Sequence, residues 1–213
     1  MIYIIKHREY NNPIPDGYEE ILVGDLYKGK DKINELNLYI NELTGLYEIW
    51  KYKKDDIVGL CHYRRMFWNK DDYVNMKDAI NILKDYDIIL TPEVKFNMTL
   101  YWQLRFEVEN SEYLDKYLNM YYDKDPLFKD YIENRKGFSN REMFICSKEL
   151  IDKYCKEVFD IVIPIIKEFL KEDYKHCNIR LISHIAERYF YYWVLKNNLK
   201  IYNMEYKDIW DLA

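Results

Sequence analysis

Apolar and polar positions fall in blocks along this chain, and the period of each block predicts an element. Residues 1–6 are apolar and β-branched at Ile2, Ile4 and Ile5, which reads as a strand. Residues 11–17 hold Pro13, Pro15 and Gly17 and read as a loop; a second short strand over 20–23 ends at Gly24, and 29–31 is a turn. Over 34–52, Leu36, Ile40, Leu43, Tyr47 and Trp50 recur at threes and fours, the spacing of one helix, with Asn34 as its N-cap. Residues 57–61 are an unbroken apolar run, as in a strand buried on both faces. A short helix over 77–84 precedes a strand at 88–90, stopped by Thr91-Pro92. Residues 97–134 are mostly helical with a break at Asp125-Pro126, and 143–146 is a strand. Ser147 caps a long helix that Pro164 should kink. A last helix covers 179–197, then a strand over 200–204 and an aromatic tail. Strands alternate with helices, so the fold class is α/β with a mostly parallel central sheet flanked by helices. Ligands in such sheets bind at the carboxyl ends of strands.

Composition narrows this picture. The 213 residues fit one domain over 1–213, and 49% hydrophobic with 32% charged residues is too apolar for disorder. No run approaches the roughly 18 apolar residues of a membrane helix, so no membrane span is expected. A net charge of −5 argues against broad nucleic-acid binding. Cys61, Cys146, Cys155 and Cys177 show no C-x-x-C spacing and read as buried thiols of a reducing compartment. Without a signal-peptide layout at the start, the expected location is cytoplasmic. The 23 tyrosines fit either an AT-rich coding composition or aromatic faces that stack on sugars and bases. With 6 glycines there is no G-x-G-x-x-G, and where residues 24–30 approach a P-loop, Asp31 replaces the metal-binding hydroxyl. H-x-x-x-H and G-x-S-x-G are absent as well.

Five clusters could carry chemistry. His62-Tyr63-Arg64-Arg65 follows the most apolar strand; in an extended segment His62 and Arg64 would share one face, Tyr63 and Arg65 the other. Arginines there either fork onto a diphosphate or pair with a buried acid of the next helix. Lys6-His7-Arg8 follows the first strand and could meet a nucleotide, or be exposed loop charge. Asn37, Glu42 and Thr44 lie on the first helix beside Gly45; by themselves they read as packing. Asn140-Arg141-Glu142 precedes a strand, and Arg180, Glu187 and Arg188 fit a salt-bridged helix face. Two D-x-D triplets, Asp85-Tyr86-Asp87 and Asp123-Lys124-Asp125, occupy turn-like positions and read as structural.

These residues resemble a family of small glycosyltransferase-like domains from bacterial capsule and exopolysaccharide gene clusters. The resemblance rests on His7-Arg8, on Asn37 with Glu42-Leu43-Thr44-Gly45-Leu46-Tyr47, and on Gly59-Leu60-Cys61-His62-Tyr63-Arg64-Arg65. It continues through Asn140 with Met143-Phe144-Ile145, and Arg180 with Ala186-Glu187-Arg188. Arg141 and Glu142 intervene in the fourth block, and Ser183-His184 replaces Gly-Tyr in the fifth. The chain is also similar to the N-terminal domain of a multidomain glycosyltransferase of a large chlorella virus, which implies a piece of a longer polypeptide and a role in viral protein glycosylation. The resemblance implies a GT-A-like fold, a nucleotide-sugar donor such as UDP-glucose, a glycan or glycoprotein acceptor, and Mn²⁺ or Mg²⁺ at a D-x-D. Here His62-Tyr63-Arg64 stands where that D-x-D would be. On this reading Arg64 and Arg65 neutralise the leaving diphosphate. Lys6, His7, Arg8, His62 and Tyr63 hold the nucleotide; Asn37, Glu42, Asn140 and Arg180 bind substrate. Glu187 or Asp208 serves as base, Asp208 if the tail 206–210 folds over the donor. The alternatives are a non-catalytic glycan- or nucleotide-binding module on the same fold, and a nucleotidyltransferase.

Overall fold

Ile2, Tyr3, Ile4 and Ile5 are all buried, and the strand they form, β1 (Ile2–Lys6), has a parallel neighbour on each side. The structure is a computed structural model that describes residues 1–9, 14–29, 31–70, 72–109, 111–172 and 178–208. Parts of the loop 11–17, the turn 29–31 and the tail, as well as Cys177, lie outside the described residues. The neighbours of β1 are β2 (Tyr18–Leu22) and β3 (Ile57–His62). Because all three run the same way, Lys6, Leu22 and His62 end along one edge of the sheet.

The region read as one helix over 34–52 is divided. A 3₁₀ turn (Lys32–Leu36), capped by Asp31 rather than Asn34, leads into α1 (Asn37–Ile40). Asn41 then takes φ 44°, and α2 (Glu42–Tyr52) starts in a new direction. The break places Glu42 at the start of α2, and Asn41 Nδ2 donates to Ser183 Oγ at 2.8 Å. Helix spacing could not show it, because the apolar period continues across the break. Gly45 lets α2 lie close on β1: a Cβ there would stand 2.3 Å from Ile5 Cδ1.

Downstream come β4 (Arg65–Asn69), β5 (Asp72–Tyr73), α3 (Met76–Ile82), β6 (Ile88–Leu90) and β7 (Val94–Lys95). Three helices, α4 (Leu100–Glu107), α5 (Leu114–Lys124) and α6 (Leu127–Asn134), fill the region expected to be helical. Then follow β8 (Gly137–Phe138), β9 (Phe144–Ser147), α7 (Lys148–Phe169) running on through Pro164, α8 (Leu181–Lys196), β10 (Ile201–Asn203) and β11 (Tyr206–Asp208).

Strand order along the main sheet is β10-β6-β9-β3-β1-β2. All these pairings are parallel except those of β9, which runs against both β3 and β6. The chain leaves β6 at the carboxyl edge, crosses α4–α6 and re-enters from that same edge, so β9 must run back. Lys148 N donates to Asp56 O at 2.8 Å, which fixes the far end of β9 beside the start of β3. Residues 140–142 therefore stand at the carboxyl edge even though they precede a strand.

Tyr3, Ile5, Val58 and Leu60 face a helical layer of α2 and α4–α8. Ile2, Ile4, Cys61, Ile89 and Ile145 face α3 and the β4 hairpin. Both faces of the central strands are thus covered, as their unbroken apolar runs predict. At about 1.5–3 kcal/mol per fully buried large aliphatic side chain, these layers supply the main favourable term of folding. Cys61, Cys146 and Cys155 are buried free thiols. Among the described residues no helix is long and apolar enough to cross a membrane.

Candidate functional site

The carboxyl edge of β1, β2 and β3 opens into a cavity of about 740 Å³. His7 enters it from the end of β1, Gly24 and Asp25 from the end of β2, Tyr63 and Arg64 from the end of β3, and Arg180 from the start of α8. A smaller cavity of about 170 Å³ adjoins it, sharing Asn41, Glu42, His62 and Arg64. Its own lining includes Arg65, Asn140, Arg141, Glu142, His184 and Glu187.

Residues 62–65 are a hairpin rather than an extended run. Tyr63 and Arg64 make the turn between β3 and β4, and His62 pairs opposite Arg65. Opposed residues of an antiparallel pair share a face, so His62 goes with Arg65, not with Arg64. His62 is buried with both ring nitrogens facing oxygen: Nδ1 lies 3.1 Å from Glu42 Oε1 and Nε2 lies 2.5 Å from Arg141 O. Burial works against ionisation of Glu42. The charge and hydrogen bond of His62 outweigh it, the backbone at the start of α2 adds to them, and the carboxyl is held down at about 2.

The two arginines divide. Arg64 lines both cavities. Arg65 Nε sits 3.0 Å from Asp208 Oδ1, because β11 pairs antiparallel with β4 and brings Asp208 opposite Arg65. Arg65 is thus paired with an acid, but one on strand β11 rather than a buried acid of the next helix: Asp208 is its counter-ion. Residues 206–208 of the tail lie beside β4, and Tyr206 OH accepts from Arg141 Nε at 3.2 Å. Residues 209 and 210 of that tail lie outside the described residues.

Lys6 turns to Glu20 on β2 at 2.9 Å and lines neither cavity. Arg8 is exposed at the rim, 5.8 Å from the Tyr63 ring centroid, and His7 meets the same ring edge-on at 4.9 Å. Burial lowers the His7 imidazole, and Arg8, Arg180 and Arg64 lower it further against the pull of Glu42. Cationic groups from three parts of the chain thus converge on one mouth. Asn37 lines the large cavity, accepts from Thr44 Oγ1 at 2.6 Å and packs against Gly24, where φ is +61° and a Cβ would meet Asn37 Nδ2 at 2.8 Å. Asn140 lines the inner cavity, Arg180 the outer.

Carboxyl groups crowd the inner cavity. Burial raises Glu187 to about 8; Arg188 and Arg141 oppose the rise, Glu107 and Glu42 add to it. Glu142 is buried at φ +50°, with Oε1 lacking a hydrogen-bond partner among the described residues. Burial pushes its carboxyl well up, and Glu42 and Glu187 push further. A bulky residue in the left-handed region marks a place where surroundings override local preference. Arg188 is not on an open salt-bridged helix face. It is wholly buried, donates to Glu107, Gln103 and the His184 carbonyl, and lies 4.0 Å from Glu187. Burial disfavours the Glu107 charge, but His184 and Arg188 hold that carboxyl far below the usual range.

Neither D-x-D belongs to the cleft. Asp87 accepts from Lys200 N at 2.7 Å at the amino end of β6, and Asp125 accepts from Tyr192 OH at 2.9 Å and Lys196 Nζ at 2.7 Å. The implied metal does not fit there. Glu107, His184 and Glu187 instead bring one potential ligand atom each within 4.8 Å of one another. Glu107 had no sequence signal as a site residue, while Glu142 and His184 stood inside candidate blocks without an assigned role; only the return of β9 and the packing of α4 on α8 unite the three.

The family described as "Domain of unknown function (DUF4422)" matches residues 1–198. No curated protein matches the chain. Among solved structures, the one titled "WbbM bifunctional glycosytransferase apo structure" superposes with a TM-score of 0.78 at 18% identity. The alignment covers 96% of this chain and 44% of that one, so this chain spans less than half the length of its neighbour. The likeness establishes the mixed α/β, GT-A-like architecture.

Proposed function

Since the chain belongs to the DUF4422 family, and its fold is that of part of a bifunctional glycosyltransferase, we propose that it transfers a glycosyl group from a nucleotide-sugar donor, of the UDP-sugar class, to a glycan hydroxyl. The observation that carries this reading is the convergence of His7, Arg64 and Arg180 on a 740 Å³ cavity at the carboxyl edge of β1, β2 and β3. That volume lies in the usual range for small-molecule sites, about 300–1,000 Å³. Glycosyl transfer leaves a nucleoside diphosphate, and charge grows on its oxygens as the sugar departs. Guanidinium groups fixed before the reaction stabilise that charge without reorganising. Arg64 does this most directly because it lines both cavities, the diphosphate side and the sugar side. Arg65, held by Asp208, braces the hairpin. The loop at Gly24 and Asn37 receives the nucleoside, and the inner cavity, with Asn140 and Glu42, receives the sugar. Of its carboxyl groups, Glu187 in its ionised form is the acceptor for the proton of the incoming hydroxyl.

A thermal-shift titration tests the reading. UDP and UDP-sugars should raise the melting temperature, by the equivalent of about 2.7 kcal/mol at a hundred times Kd. Arg64→Ala should weaken that binding by about 1.5–3 kcal/mol, the usual worth of a charge-assisted hydrogen bond. Normal UDP binding by Arg64→Ala would remove the cationic cradle from the account. Binding without donor hydrolysis or transfer, with or without added Mn²⁺, would leave a nucleotide-binding module.

A further inference from the structure

We propose that Glu107, His184 and Glu187 form a binding site for a first-row divalent cation in the wall of the inner cavity, built across the end of α4 and the first half of α8. The three residues offer two carboxylate oxygens and one imidazole nitrogen, all within 4.8 Å of one another. His184 Nδ1 already lies 3.3 Å from Glu107 Oε1. Ligand bonds of about 2.0–2.2 Å to one ion place ligand atoms about 3–4 Å apart, so side-chain rotation closes the site without backbone movement. His184 and Glu187 are three apart on α8 and share a helix face.

The surroundings are those of a supported site. The buried Arg188 guanidinium holds Glu107 by Oε2, which leaves Oε1 turned toward His184. Outer partners of this kind orient metal ligands. A second feature points the same way. Glu142 is 5% exposed, lines the same cavity, and has an Oε1 without a partner among the described residues. A buried carboxyl oxygen left unmatched is costly, and a cation or the water it carries would meet it. The imidazole suits Zn²⁺ and the two carboxylates also admit Mn²⁺, whereas Mg²⁺ and Ca²⁺ take oxygen alone.

None of the three ligands lines the large cavity. The cation therefore serves the sugar and acceptor side of the cleft, where a Lewis acid lowers the pKa of a bound hydroxyl. That use rests on the function proposed above; the site itself does not.

Electron paramagnetic resonance of free Mn²⁺, titrated with the full chain in the absence of nucleotide, tests the site. The free-ion signal should fall by one Mn²⁺ per chain. Zn²⁺ should displace the bound ion and equal Mg²⁺ should not. Glu187→Gln and His184→Ala should each weaken binding at least about tenfold, while Asp123→Asn, in the D-x-D before α6, leaves it unchanged. Circular dichroism confirms that each variant is folded, and Glu187→Gln preserves side-chain shape should His184→Ala unfold. An undiminished free signal, unaltered binding in folded Glu187→Gln, or loss of binding in Asp123→Asn overturns the proposal. The UDP-induced thermal shift of metal-free protein reports on the nucleotide cavity separately, so either idea can fail alone.

Discussion

Arg64 lines the open cavity, while Arg65 is held 3.0 Å from Asp208, and this difference decides what each substitution should do. Arg65→Ala strips a half-buried carboxylate of its partner and should lower stability by about 1–3 kcal/mol, with a smaller effect on UDP affinity. Arg64→Ala should do the reverse; urea melts and UDP titrations of both variants measure the contrast. Two glutamates give the protein opposite pH responses. Glu42 is held at about 2 by His62 against burial, below the ordinary 4.5. Its contribution is present above pH 4.5 and is lost as pH falls toward 2, an acid-side loss on the order of 2–3 kcal/mol. Glu187 is raised to about 8 by burial. The folded state then binds its proton more tightly than the unfolded chain, so its contribution is complete below pH 4.5 and disappears as pH rises through 8. Urea unfolding with a chelator present should show stability falling between pH 6 and pH 9, and Glu187→Gln should flatten that fall. An equal slope in Glu187→Gln would show that the carboxyl is not the group responsible.

The element that places Glu42 is α2, and its seat on β1 depends on one missing side chain. An Ala Cβ at position 45 would stand 2.3 Å from Ile5 Cδ1, 2.7 Å from Cγ1 and 3.0 Å from Cγ2, so the whole Ile5 side chain, not just its tip, is in the way. Alanine is the better helix former by about 1 kcal/mol. Overpacking a tight core costs about 1–3 kcal/mol, so the steric effect should win. Gly45→Ala should be destabilising, and it should weaken UDP binding because α2 carries Glu42 away from His62. Adding Ile5→Ala should recover part of the loss, and a double-mutant cycle on chemical denaturation measures the coupling. Additive effects would show that the contact does not govern the position of α2.

At the scale of the molecule, one sheet separates two apolar layers, and each central strand contributes side chains to both. Neither layer can be lost while the sheet persists, so the chain should unfold in one transition, with coincident fluorescence and circular dichroism curves. A nucleotide at the carboxyl edge touches β1, β2 and β3 together and should shift that single transition as a unit. The cleft was legible in part. The cationic cluster after the apolar run 57–61 and the basic pair at 7 and 8 marked the edge of the sheet from which His7 and Arg64 enter the cavity. Lys6 pairs with Glu20, which lies on a different strand, and pairing across strands leaves no local trace.

The chain's local chemistry determined the central strands and the helical segments, but not the break at Asn41 or the hairpin at 62–65. Apolar runs make strands buried on both faces, threes-and-fours spacing makes helices, and charge placed after a strand falls at the ligand-binding edge. Tertiary structure alone decided which charges meet. Strand order brings Asp208 to Arg65. The reversed course of β9 turns Glu142 into the cleft, and the packing of α4 on α8 joins Glu107 to His184 and Glu187. Periodicity reports only which side of its own element a residue occupies; the identity of the facing residue depends on how distant elements are ordered and directed, and one segment's pattern does not contain that.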